Sequence, residues 1–121
     1  MKKDKNKTLK RKLDKLWGLI IRSKGACELC QRQGKTDAHH LEGRSPMALR
    51  WDLRNGINLC FRCHRLGVHS PASSVQAEFR QKIIELRGIE VMEELKRMRY
   101  QFNKVDLEET YKNLDEIYNN N

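Results

Sequence analysis

Two C-x-x-C pairs, Cys27/Cys30 and Cys60/Cys63, constrain this chain more than anything else in it. Each pair presents two thiolates from one tight turn, and two such turns brought together close a tetrahedral zinc site. The chain between the pairs must then fold back on itself so that its ends meet at the metal. All four cysteines and all four histidines lie between Cys27 and His69. Soft metal ligands scattered at random over 121 residues would not gather in this way.

Composition agrees with a core pinned by metal. Only 38% of residues are hydrophobic and 34% are charged, so the apolar core is modest, and small cores of this kind are often held by a structural ion. The chain is expected to be cytoplasmic. The longest apolar run near its start, Trp17 to Ile21 with Gly18 inside it, is too short for a signal segment or a membrane span. In a reducing compartment metal is the better reading of four cysteines than two disulfides. The formal charge is +9, while residues 101–121 carry 2 basic and 5 acidic side chains. A basic body with a mildly acidic end favours a polyanionic partner, nucleic acid being the commonest.

Periodicity places the elements. Leu9, Leu13, Leu16, Trp17, Ile20 and Ile21 mark one face of a helix over about 8–23, with Lys10, Arg11, Lys12 and Lys15 opposite, a solvated or a phosphate-contacting face. Residues 1–7 read as a frayed basic tail. Thr36 to Leu41 is a short strand ending on His39-His40, residues 42–53 a long loop, Asn55-Gly56 a turn, and Ile57 to Leu59 a second strand leading into Cys60. The second knuckle opens a short helix carrying His64. Beyond the break at Ser70-Pro71, Ser73 and Gln76 fit a capping box. The helix it opens has Val75, Phe79, Ile83 and Leu86 on one face, and Gly88 interrupts it. Further helical stretches carry Val91, Leu95, Met98 and Phe102, then Leu107, Tyr111, Leu114 and Tyr118, before an Asn-rich end expected to be disordered. The Val91 to Val105 spacing suits packing on the chain's own core or on a second copy, so monomer and homodimer both stay open. The expected fold is α+β: a zinc-clamped β-hairpin and helix over 8–70, with its N-terminal helix, and a helical extension over 71–121.

The histidines decide what such a core does. A zinc ribbon that only binds nucleic acid has its four thiolates already and needs none of them. Here His39, His40, His64 and His69 sit with Asn55 inside the clamped hairpin, a candidate second metal site with open positions, which favours catalysis over passive binding. Because successive strand residues point to opposite faces, His39 and His40 can take different jobs. His69 follows His64 by five positions where four would keep one helical face, so the helix must end or bend near Gly67, and either His69 or Asp37 completes the set. Asn55 also reads as a plain Asn-Gly turn.

The order C-x-x-C, H-H, N, C-x-x-C-H over about residues 26–69 resembles the HNH endonucleases, which use a ββα-metal fold. The double histidine is similar to that of the colicin nucleases. Asp37-Ala38-His39-His40, Leu49-Arg50-Trp51 and Arg54-Asn55 before Cys60 resemble the phage NinG (Rap) recombination proteins, as does the Phe79 to Glu90 helix. The resemblance implies a metal-dependent DNA endonuclease leaving 5′-phosphate and 3′-hydroxyl ends, acting in phage recombination with branched DNA as a substrate. It makes His40 the general base, His39 and His64 ligands of a catalytic divalent metal, and Asn55 the brace of the loop bearing the base. Zn²⁺ or Ni²⁺ suits imidazole ligands, whereas abundance favours Mg²⁺, with Mn²⁺ also serving. Arg44, Arg50, Arg54, Arg62 and Arg65 surround this constellation as candidate phosphate clamps.

Overall fold

The computed structural model describes residues 2–101 and 104–120, so Met1, Phe102, Asn103 and Asn121 lie outside the described residues. The architecture is α+β, with a helix, a two-stranded sheet followed by a short helix, and three C-terminal helices. Helix α1 spans Lys2–Arg22 and strand β1 Thr36–His40. A short helix α2 (Met47–Arg50) and a 3-10 turn (Leu53–Asn55) occupy the loop before strand β2 (Gly56–Cys60). Helix α3 (Phe61–Cys63) runs directly into a π-helical turn, His64–Val68. Helices α4 (Ser73–Arg87), α5 (Ile89–Met98) and α6 (Leu107–Asn119) follow.

Helix α1 starts earlier than its apolar periodicity suggested. Residues 2–7, read as frayed, are its first turns. Lysine is a good helix former, no Gly or Pro interrupts the stretch, and Asp4 places a negative charge in the first turn, where the helix dipole favours it. At the other end α6 continues through Asn119, so the asparagines expected to be disordered are partly helical. The capping box at Ser73 is not formed. The helix begins at Ser73 itself with Ala72 at the cap position; the Ser70 hydroxyl accepts from the Ala72 N–H, and the Gln76 amide donates to the Ser70 carbonyl. These bonds form a turn ahead of the helix, and no side chain caps its first N–H groups.

β1 and β2 pair antiparallel with Thr36 opposite Cys60 and His40 opposite Gly56. One face of this ribbon packs in a core of Cys27, Leu49, Ile57, Leu59, Cys60 and Cys63 with Ile83 of α4 and Met92 and Leu95 of α5. Residues 71–98 therefore complete the core of the clamped hairpin and have none of their own. Leu95 is fully buried there, so the apolar spacing of α5 is used inside the chain. A second core joins α1 (Leu13, Leu16, Trp17, Ile20, Ile21) to Trp51 and to Leu114 of α6. Among the described residues no helix is long and apolar enough to cross a membrane.

Gly56 sets how closely α1 approaches the sheet. A Cβ at this position would collide with the Ile21 side chain and lie 2.7 Å from Trp17 Cζ2. Gly56→Ala is therefore expected to lower stability by about 1–3 kcal/mol, the usual cost of forcing an extra carbon into a packed core. Urea unfolding of the two proteins measures it, and an unchanged midpoint would mean that α1 does not pack this tightly.

Candidate active site

The two knuckles bring all four cysteines together. Their sulfurs lie within 4.8 Å of one another, and Cys30 Sγ is 3.6 Å from Cys60 Sγ. All four are free thiols. A tetrahedral zinc with Zn–S bonds of about 2.3 Å has S···S edges of about 3.8 Å, so this cluster fits a closed zinc site. Its electrostatics point the same way. Burial and the neighbouring Cys27 and Cys60 sulfurs push the Cys63 thiol far above its ordinary range. Cys27 moves the other way, burial being outweighed by backbone hydrogen bonds from Cys30, Cys60 and Leu29. Four thiols so crowded cannot all ionise on their own, and a divalent cation removes that conflict. The knuckles are joined through Glu28, whose carboxylate accepts from the Asn58 N–H (2.7 Å), Lys24 (2.9 Å) and Arg87 (2.8 Å). Asn58 also donates its amide to the Ala26 carbonyl, so it staples the clamp and takes no part in the loop above it.

A second cluster holds His39, His64 and His69, with one ring nitrogen of each within 4.8 Å of the others. Ring centroids are 5.2 Å apart for His39–His64, 5.0 Å for His39–His69 and 4.8 Å for His64–His69. The five-residue spacing of His64 and His69 is resolved by the π turn. The His69 N–H donates to the His64 carbonyl at 3.0 Å, and the wider turn rotates the two side chains onto one side. Gly67 lets this turn sit on α4, since a Cβ there would fall 2.6 Å from the Phe79 ring. Asp37 stands outside this triad. Its carboxylate is 3.1 Å from His64 Nδ1, which orients that imidazole as carboxylates commonly do behind metal-ligating histidines. Burial, together with the nearby histidines, lowers the His39 pKa to about 4, so one ring nitrogen keeps a lone pair for a cation at neutral pH. Three imidazoles suit Zn²⁺ or Ni²⁺ with open positions remaining.

His40 points to the other face of β1, as strand alternation requires, and stacks on Trp17 with ring centroids 3.9 Å apart and planes 7° from parallel. Its Nε2 lies 2.9 Å from the Arg50 carbonyl oxygen. A carbonyl only accepts, so Nε2 carries the proton and Nδ1 of the neutral ring is the free base. Burial lowers the His40 pKa further, despite the Arg50 carbonyl, which favours the charged ring. Arg50 is itself fixed. Its Nε and a terminal nitrogen donate to the two Asp14 oxygens at 2.9 and 2.7 Å, and Trp51 Nε1 donates to Asp14 Oδ1 at 2.9 Å. Burial raises the Asp14 carboxyl, but these donors outweigh it and hold the group below its ordinary range. Helix α1 therefore orients His40 twice, by the Trp17 stack and through Asp14 and Arg50.

Asn55 is fully buried and braces the loop. Its Oδ1 accepts from the Glu42 N–H at 2.8 Å, and its Nδ2 donates to the Gly43 and Leu49 carbonyls at 2.9 and 3.0 Å. One side chain thus ties both ends of the segment from Glu42 to Leu49, next to the carbonyl that holds His40. The arginines named from sequence divide. Arg50 is spent on Asp14 and Arg54 on Asp52, each through two nitrogens. Arg44 reaches the same Asp14 with one nitrogen at 3.4 Å. Arg62 and Arg65 are exposed, and no ion pair engages them among the described residues. Asp14, Trp17 and Glu42 went unremarked in the sequence as parts of the site. Trp17 lies on the apolar face of α1, and nothing in the sequence separates a stacking tryptophan from a core one.

His39 and His40 line one cleft of about 380 Å³ with Leu41, Val68, Gln76 and Arg80. Comparison of the chain with protein-family models, curated proteins and solved structures finds no match. The fold and the two clusters define a small ββα-like core with one group of four cysteines and one of three histidines, each able to hold a metal ion.

Proposed function

We propose that this protein is a metal-dependent DNA endonuclease of the HNH class, hydrolysing phosphodiester bonds in recombination or repair of phage DNA. The observation that carries this reading is the division of labour between adjacent residues. His39 belongs to a three-imidazole cluster, while His40, on the opposite face of the strand, has its Nε2 bound to a carbonyl and Nδ1 left free. A passive zinc module has no use for a base held in one tautomer beside a second donor set.

In this reading Cys27, Cys30, Cys60 and Cys63 hold a structural zinc, and His39, His64 and His69 hold the catalytic ion. A divalent cation bound there supplies Lewis acidity, neutralising charge on the phosphoryl oxygens and the departing 3′ oxygen. His40 Nδ1 takes the proton of the attacking water, the ring being kept neutral by burial and kept in place by Trp17 and the Arg50 carbonyl. Asn55 acts by positioning: it holds the loop whose Arg50 carbonyl fixes that ring. Asp37 orients His64.

The basic outer face of α1 supports a polyanionic partner; Arg11, Lys12 and Lys15 are exposed on it. A junction or flap offers phosphates on several arms, and each one neutralised steepens the salt dependence of binding by about 0.9 log unit per log salt. Four-way junction, flap and linear duplex of matched sequence, end-labelled and incubated with Mg²⁺ or Mn²⁺, should yield 5′-phosphate products, with the branched substrates cut faster at low salt. Equal cutting of all three would remove branch selectivity and leave a general nuclease. Binding without cutting in any divalent metal would leave a nucleic-acid-binding zinc module.

A further inference from the structure

The cleft holding His39 and His40 has a cation on its α4 wall that the rest of the site leaves without a task. Arg80 lines it, and one terminal nitrogen donates to Glu42 Oε1 at 3.1 Å. Glu42 is an unusual anchor. Its side chain is 3% exposed, whereas that of Arg80 is 55% exposed. A second arginine, Arg99, approaches the other Glu42 oxygen at 3.8 Å and is 53% exposed. One buried carboxylate thus faces two half-exposed guanidiniums, leaving a net positive charge at this edge of the cleft.

The manner of pairing separates Arg80 from Arg50 and Arg54. Those two each give two nitrogens to a carboxylate and so have spent their hydrogen-bonding fork. Arg80 gives Glu42 one nitrogen, and the remaining N–H groups of a planar five-donor fork stay available. Glu42 is fixed in turn, because its own N–H donates to Asn55 Oδ1, the side chain that braces the loop of the general base. Arg80 is therefore referenced to the same buried asparagine as His40.

The geometry points to Arg80 as a phosphate-holding residue, its free N–H edge taking the non-bridging oxygens of a nucleic-acid backbone phosphate in the cleft, with Glu42 and Arg99 as its supports. A guanidinium held from behind by a buried carboxylate meets a phosphate with little further ordering, and the pairing is planar and charge-assisted. This assignment rests on the reading of the protein as a DNA-binding nuclease, and it concerns binding and not the chemical step.

The test measures binding of a labelled DNA duplex by the zinc-loaded full chain across a range of salt, with Ca²⁺ replacing the catalytic ion so that no cutting intervenes. Arg80→Gln should weaken binding on the order of tenfold at low salt and reduce the log–log salt slope by about 0.9, one phosphate's worth. Arg80→Lys should restore the slope while recovering only part of the affinity, since a lysine supplies the charge without the fork. A duplex series carrying single neutral methylphosphonates should show one position whose penalty is present in the wild type and missing in Arg80→Gln. An Arg80→Gln variant of lower melting temperature but unchanged slope would overturn the assignment and leave Arg80 as a strut between α4 and Glu42. Failure of the nuclease reading looks different: the wild type would bind DNA and never cut it, while the Arg80 slope could still fall.

Discussion

Cys60→Ser is expected to lose its tightly bound zinc and to be unfolded at room temperature. Cys60 ends β2, opposite Thr36 in the ribbon, and its sulfur is 3.6 Å from that of Cys30, so it belongs to both the sheet and the clamp. Structural zinc contributes about 10–16 kcal/mol to small metal-clamped domains, against a net stability of about 5–15 kcal/mol for a whole domain. Loss of the first is therefore comparable to the whole of the second. The shared core runs through the clamp to Ile83, Met92 and Leu95, so α4 and α5 should melt with it, leaving no folded C-terminal half. Native mass spectrometry and circular dichroism test this together: one zinc fewer and a collapsed helical signal are expected. Prolonged chelation of the wild type should reproduce both. A folded, zinc-free wild type would remove the clamp from the account.

His40→Ala is expected to keep fold, zinc and DNA affinity while the cleavage rate falls by roughly a hundredfold or more, the range for deleting a general base. The side chain is only half-buried, and its contacts are the Trp17 face and one carbonyl, so the scaffold should tolerate the change. The substitution leaves the three-histidine cluster intact, because that cluster is built from His39 on the other face of the strand and from the π turn. Single-turnover cleavage at saturating protein separates the effect from binding. A variant that cuts at the wild-type rate would show that the proton leaves by another route.

Much of this site is carried by local spacing, and that part could be read in advance. Two C-x-x-C turns, a double histidine on a strand and the helix bearing His64 depend on neighbours a few residues apart. The shares belonging to His69 and Asp37 could not be read, because a π turn, a register no apolar periodicity reports, puts His69 beside His64 and leaves Asp37 behind it. Long-range ion pairs were equally out of reach. Nothing near Arg50 or Arg80 in sequence says that Asp14 will take both forks of the first and that Glu42 will hold only one nitrogen of the second. The uncapped start of α4 and the first turns of α1 show the limit of motif reading in a smaller way. A capping-box pattern can mark where a helix starts without the box being formed, and a lysine-rich stretch can be helical when nothing breaks it.

Supercoiled plasmid offered to the zinc-loaded protein gives the most direct test of the central claim, that a cation at His39, His64 and His69 works beside His40 on a phosphodiester. In Mg²⁺ or Mn²⁺ the wild type should convert supercoiled to nicked circles. It should do nothing in EDTA added just before the DNA, a time too short to strip the clamp. His39→Ala, with its four-cysteine zinc still counted by mass spectrometry, should leave the plasmid supercoiled. Nicking by His39→Ala at the wild-type rate, or no nicking by the wild type in any divalent metal while it still binds the plasmid, would contradict the account.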